Sequence, residues 1–144
     1  MSVKLLIKEK GSFVPVIKSE RTLNDVINQL DLDNVGALVV TDDNHEILGI
    51  ITEHDIARGL KNHGRNVVDR PLRDLMTSDV ITVDINEPLT RVLELMDQHR
   101  IHYLPVTERG SLCGIINMLD LVKYRLKEIE LEASWLKDYV AGRA

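Results

Sequence analysis

Apolar residues fall into two kinds of segment, short continuous runs and helix-spaced series, and the same succession occurs twice. Val14-Pro15-Val16-Ile17 precedes a series at Leu23, Val26, Ile27 and Leu30. Then come Ala37-Leu38-Val39-Val40-Thr41, a polar turn Asp42-Asp43-Asn44, and Ile47-Leu48-Gly49-Ile50-Ile51, closed by Thr52-Glu53-His54-Asp55-Ile56. From Val80-Ile81-Thr82-Val83 the order returns, with Leu89, Val92, Leu93 and Met96, then Tyr103-Leu104-Pro105-Val106-Thr107. A turn at Glu108-Arg109-Gly110 leads to Leu112-Cys113-Gly114-Ile115-Ile116, closed by Asn117-Met118-Leu119-Asp120-Leu121. The offset is 66 residues up to Thr41/Thr107 and 65 from Gly49/Gly114 onward, so the second copy lacks one turn residue. Identities such as Leu23/Leu89, Val40/Val106 and Gly49-Ile50-Ile51/Gly114-Ile115-Ile116 fall at matching places. This is an internal duplication.

Each copy predicts strand, helix, strand, turn, strand, helix. The spacing i, i+3, i+4, i+7 in 23–30 marks a helix with one buried face. Thr22 with Asp25 three residues on reads as its N-cap, and Pro88 suits the first turn of the matching helix. Short runs of Val and Ile bounded by Asp, Asn and Gly read as buried strands, the second and third joined as a hairpin. One unit of about 50 residues buries too little surface to be secure alone, so two units packed sheet to sheet are expected, with clefts between them. The predicted fold class is α+β: two β-α-β-β-α repeats packed as one pseudo-symmetric module with a long C-terminal helix. The expected divisions are 1–64 for the first repeat with the N-terminal segment, 65–78 for a linker ending in a short helical turn, 79–127 for the second repeat, and 128–144 for a helical extension. That helix, from Asp120 to about Val140, carries the chain's one Trp. It either packs on a second subunit, making a homodimer, or folds back on its own module.

Composition narrows the function classes. With 44% hydrophobic and 28% charged residues and no apolar run of spanning length, the chain reads as a soluble, cytoplasmic globular protein with no membrane partner. A net charge of −5 and 3% aromatic residues argue against polymeric nucleic acid as a partner. The single Cys113 excludes an internal disulfide and reads as core packing. His99 and His102 straddle a helix end and a strand start with no further ligand nearby, so no metal site is expected. Gly49 and Gly114 lack the Lys-Ser/Thr of a phosphate loop and read as bend points within the third strand of each copy.

The doubled element order, Gly49-Ile50-Ile51-Thr52-Glu53-His54-Asp55 and the Leu104-Pro105-Val106 strand resemble the tandem cystathionine-β-synthase-type (CBS) domain pair, or Bateman module, over about residues 14–127. The long C-terminal helix is also similar to that of short stand-alone bacterial CBS-pair proteins. The resemblance implies a sensor that takes adenosine-containing ligands, AMP foremost with ADP and ATP as alternatives, in clefts between the copies. It implies that Thr52 and Asp55 contact ribose and phosphate in one cleft, and Asn117 and Asp120 in the other, where Asn117 replaces the usual Thr or Ser. A carboxylate can accept both hydrogen bonds of a vicinal diol, and a helix start favours a phosphate. Phosphate candidates are His54, Arg58 and His102; adenine-pocket candidates are Val14, Val35 and Ala37 from one copy and Val80, Ile101 and Tyr103 from the other. His54 stands where many relatives have Arg, which implies a weaker, pH-dependent contact.

The same residues have a plainer explanation. Thr52-x-x-Asp55 and Asn117-x-x-Asp120 are also N-capping patterns, each contributing about 1 kcal/mol to its helix. No nucleophile–base pair, metal cluster or catalytic cofactor fingerprint is present, so no enzymatic activity is expected. Two functions follow: an adenine-nucleotide sensor regulating a partner protein, or a structural dimerisation protein with degenerate clefts.

Overall fold

A computed structural model describes residues 2–11 and 13–142. The first repeat comprises β1 (Val16–Lys18), α2 (Leu23–Asp33), β2 (Ala37–Thr41), β3 (Ile47–Thr52) and α3 (Glu53–His63). A 3₁₀ segment (Gly64–Asp69) and a one-turn helix, α4 (Leu72–Leu75), lead into the second. That repeat comprises β4 (Val83–Asp84), α5 (Leu89–His99), β5 (Tyr103–Glu108), β6 (Ser111–Asn117) and α6 (Met118–Val140). One further helix, α1 (Val3–Lys10), precedes them all. The architecture is the expected α+β pair, and each repeat holds a three-stranded sheet, β1-β2-β3 or β4-β5-β6.

Strand alternation builds the module. In β2, Leu38 and Val40 point into the first repeat's own helical core, while Ala37 and Val39 point the other way. Ala37, Val39, Ile50 and Ile115 form a cluster shared by the two sheets, with Ile47, Val80, Tyr103 and Leu112 packed against it. Leu104, Val106 and Ile116 fill the second repeat's own core. Both sheets are therefore apolar on both faces, one for helices and one for each other, which is why their strands read as continuous runs.

The flanking strands are shorter than their sequence runs. Val14 and residues 80–82 lie outside the strands, and Val80 packs instead at the sheet-to-sheet contact. The missing turn residue also has its explanation. In the second repeat Arg109 (φ 51°) and Gly110 (φ 79°) make a two-residue hairpin, both left-handed as a tight hairpin turn requires. The first repeat spends more residues, with Asp42 Oδ1 accepting the amides of Asn44 (2.8 Å) and Glu46 (2.9 Å).

Helix α1 lies within the 1–64 division expected for the first repeat, yet Val3, Leu6 and Ile7 belong to the core of the second. The Val3 amide donates to the Glu87 carbonyl at 3.0 Å, pinning the helix beside the start of α5. At the 66-residue offset α1 corresponds to α4, which packs Leu72 and Leu75 into the core of the first repeat. Each repeat is thus completed by the helix that precedes the other one. The repeating unit starts one helix earlier than its strands suggest.

Gly49 and Gly114 sit where the third strand slips register by one residue, between Val40 and Thr41 and between Val106 and Thr107. They serve a second purpose that the strand pattern does not reveal. A Cβ on Gly49 would lie 2.8 Å from the Thr77 carbonyl, and one on Gly114 would lie 2.6 Å from Ile7 Cδ1. The Thr77 carbonyl is fixed by the Ile50 amide at 2.9 Å, so it cannot give way freely. Gly49→Ala is therefore expected to destabilise the protein by about 1–3 kcal/mol, the usual cost of overpacking, measured by urea unfolding. Gly110→Ala, where a Cβ meets open space, is strained only through its backbone.

Candidate functional site

The end of β3 and the start of α3 build the first site. Thr52 is the N-cap: its Oγ1 accepts the Asp55 amide at 3.2 Å, and Asp55 Oδ2 accepts the Thr52 amide at 3.0 Å. The capping explanation therefore holds for this pair. It does not account for the other carboxylate oxygen. Asp55 Oδ1 accepts from Arg58 and from Thr77 Oγ1 (3.4 Å), and the residue is 4% exposed. Thr77 comes from the connector between the repeats, held against Ile50 by paired backbone hydrogen bonds.

These residues form one wall of a cleft of about 460 Å³ between the repeats. The first repeat contributes Ile50, Thr52, His54, Asp55 and Arg58; the second contributes Arg100, Ile101, His102 and Tyr103. Four basic side chains, His54, Arg58, Arg100 and His102, thus line the cleft that holds one buried carboxylate, at the N-terminal, positive end of α3. Arg100 caps α5 in the left-handed conformation at φ 53°, a region that arginine seldom adopts. Tyr103 lies against Gly36 and Glu53, and a Cβ on Gly36 would collide with its hydroxyl. Burial, and then the Glu53 charge, raise the Tyr103 pKa, so the phenol stays a hydrogen-bond donor across the physiological range.

The second site has the same cap and a different neighbour. Asn117 Oδ1 accepts the Asp120 amide at 2.8 Å, and Asp120 Oδ2 accepts the Asn117 amide at 2.9 Å. Here Lys10 from α1 reaches in: its Nζ lies 2.6 Å from Asp120 Oδ2 and donates to the Ile115 carbonyl at 2.8 Å. Where Asp55 meets Thr77 from the connector and the half-exposed Arg58 of its own helix, Asp120 meets a cation brought in by α1. The space left beside it, about 260 Å³, is lined by Leu6, Glu9, Lys10, Lys123, Tyr124 and Lys127.

The remaining sequence candidates scatter. Ile101 and Tyr103, nominated with Val80, line the first cleft opposite Thr52 and Asp55, whereas Val80 packs between the sheets. Val35 packs on the first repeat's helical core, and Ala37 is buried between the sheets. Val14 lines a separate depression of about 620 Å³ with Thr41, Ile47, Thr107 and Leu112. That depression is at the opposite end of the hairpin, because Thr41 pairs with Ile47 while Ala37 pairs with Thr52. Val14, Val35 and Ala37 therefore do not form one pocket. Sequence reasoning missed Ile50, Thr77, Arg100 and Lys10; carrying the repeat offset back through residues 72–77 would have pointed to residues 6–11.

Two α-β repeats that each complete the other's core, with a polar cleft between them at the start of a helix, define a paired-repeat ligand-cleft module. The comparison with known proteins agrees: a family model, the CBS domain, matches residues 11–62 and 72–127, and the chain belongs to that family. The family matched is not a catalytic one. Among solved structures, a CBS-domain-containing protein of Agrobacterium tumefaciens superposes with a TM-score of 0.83 at 31% identity, covering 87% of this chain and 99% of that one. The CBS domain pair of protein MJ0100, in complex with 5′-methylthioadenosine and S-adenosyl-L-methionine, gives 0.77 at 25% identity, covering 89% and 98%. The mitochondrial CBS domain-containing protein CBSX3 of Arabidopsis thaliana is 30% identical over 128 residues, 86% of this chain and 62% of that protein. The chain spans 66%, 62% and 52% of the length of three curated relatives it matches. Among the described residues no helix is long and apolar enough to cross a membrane.

Proposed function

We propose that this protein is a regulatory module that binds an adenosine-containing ligand, with AMP the leading candidate, in the cleft at Thr52 and Asp55. The observation that carries this reading is the buried carboxylate of Asp55 in a cleft of about 460 Å³ that His54, Arg58, Arg100 and His102 also line. That volume lies in the ordinary range for small-molecule pockets. A ribose diol needs a carboxylate acceptor, and a phosphate needs cations and a helix start.

Asp55 accepts four hydrogen bonds from its own protein, which is about the full capacity of a carboxylate. Ligand entry must displace one of them. Arg58 is the one free to leave, since its side chain is half exposed and such pairs contribute little net stability. In this reading Arg58 passes from Asp55 to the ligand phosphate and releases Oδ1 to the ribose. The resulting change in the set of the two repeats would then be read by a partner protein.

Calorimetric titration with AMP, ADP, ATP and S-adenosylmethionine tests the reading. We expect one ligand per chain, because Lys10 occupies Asp120 in the second site. Lys10→Ala is expected to add a second, weaker binding event without changing the first. Absence of heat and of any melting-point rise at millimolar ligand would exclude the sensor function and leave the structural one.

A further inference from the structure

Helix α6 continues well beyond the point where α3 ends, and of its 23 residues only Leu121 is fully buried. Most of the large apolar residues it exposes fall on one line, with Leu131, Trp135 and Tyr139 outside it. Val122, Leu126, Ile129, Ala133, Leu136 and Val140 succeed one another at steps of four, three, four, three and four. Leu119 extends the same register by one step toward the body. All lie exposed along one edge of the helix. A repeat of 3.5 residues is the seam of a coiled coil, narrower than the stripe of a helix packed on its own domain.

The charges beside the seam select its partner. Arg125 and Glu132 precede Leu126 and Ala133, while Glu130 and Lys137 follow Ile129 and Leu136. In a parallel, in-register pair each residue of the first set meets the residue five positions on in the other helix. Arg125 then faces Glu130 of the second copy, and Glu132 faces Lys137, so both pairs attract. A fully overlapped antiparallel pair would instead set Glu130 against Glu130, Glu132 against Glu132 and Lys123 against Lys137. At its base the seam runs into an apolar groove of about 570 Å³ between α5 and α6, lined by Leu89, Leu93, Val122 and Leu126.

We propose that α6 joins two copies of this chain as a parallel, in-register, two-stranded coiled coil over residues 122–140. The inference is independent of what the cleft binds. Arg125 gives up its exposed contact with Glu128 (3.0 Å) to pair across the seam, an exchange between two weak surface pairs.

Sedimentation of the full chain tests it. The natural protein is expected to be a dimer at micromolar concentration. Ile129→Asp, which would bury an unpaired charge at the seam, is expected to raise the dimer dissociation constant roughly a hundredfold. Its helix content and melting of the monomer should stay unchanged, because Ile129 lies outside the three core clusters. Orientation is read by oxidising Ala133→Cys and Val140→Cys separately in a Cys113→Ser background. A parallel pair brings each cysteine onto its own copy, so both variants cross-link. An antiparallel pair can do this at one position at most. A monomeric natural protein, a dimer indifferent to Ile129→Asp, or cross-linking at one position or none overturns the proposal.

Discussion

Deleting residues 2–10 is expected to unfold the second repeat, although no residue of that repeat is removed. Val3 is fully buried, and Leu6 and Ile7 are nearly so, in one cluster with Val83, Leu89, Val92, Met96, Leu104 and Ile116. Burying one such side chain contributes about 1.5–3 kcal/mol, so their joint loss removes roughly 5–9 kcal/mol. A domain of this size has a total stability of about 5–15 kcal/mol. The deletion also bares Gly114 and the apolar face of β6, on which Ile7 rests. Leu6→Ala is the graded version: it should cost about 2–4 kcal/mol and lower the melting temperature by about 10 °C. Circular dichroism with urea unfolding reads both. An unchanged unfolding midpoint after the deletion would show that α1 is an appendage and that the second repeat closes its own core.

That outcome bears on which parts of the molecule its sequence discloses. The strands of Val and Ile and the series at Leu23–Leu30 are legible because each is set by local periodicity, and the caps at Thr22, Thr52 and Asn117 because a single side chain forms each one. Helix α1 escaped notice for the opposite reason. Val3, Leu6 and Ile7 keep the i, i+3, i+4 spacing over one short stretch only, Leu5 beside them is exposed, and the core they serve lies some eighty residues further along the chain. Which residues face one another across the module is likewise not a local property. Ala37 and Tyr103 occupy equivalent strand starts and both pack at the sheet-to-sheet contact, yet only Tyr103 also lines the cleft. Docking of one sheet on the other makes that distinction, and nothing in either strand's own pattern could express it.

The cleft itself is where two substitutions should part company. Asp55→Asn keeps an oxygen that can accept the Thr52 amide, so the cap and the start of α3 survive, at a cost of about 1–3 kcal/mol because its NH2 replaces the oxygen that accepts from Arg58 and Thr77. It removes the charge from the hydrogen bonds that a ribose diol would donate. Charge-assisted bonds contribute about 1.5–3 kcal/mol, so every adenosine-containing ligand should bind roughly ten- to hundredfold more weakly. Arg58→Ala acts in the opposite sense on half of the same ligands. Losing Arg58 frees Oδ1 of Asp55 from its internal partner, which helps the ribose, while removing a cation from the phosphate. Adenosine should therefore bind as well as before or better, and AMP and ATP more weakly. Titration of both variants with adenosine and AMP separates the contributions. If Arg58→Ala weakened adenosine and AMP equally, Arg58 would be a fixed part of the wall, and the exchange of partners at Asp55 would be wrong. If Asp55→Asn left both affinities untouched, the buried carboxylate would be a helix cap alone, and the ligand would have to be held by the basic rim of Arg100 and His102 instead.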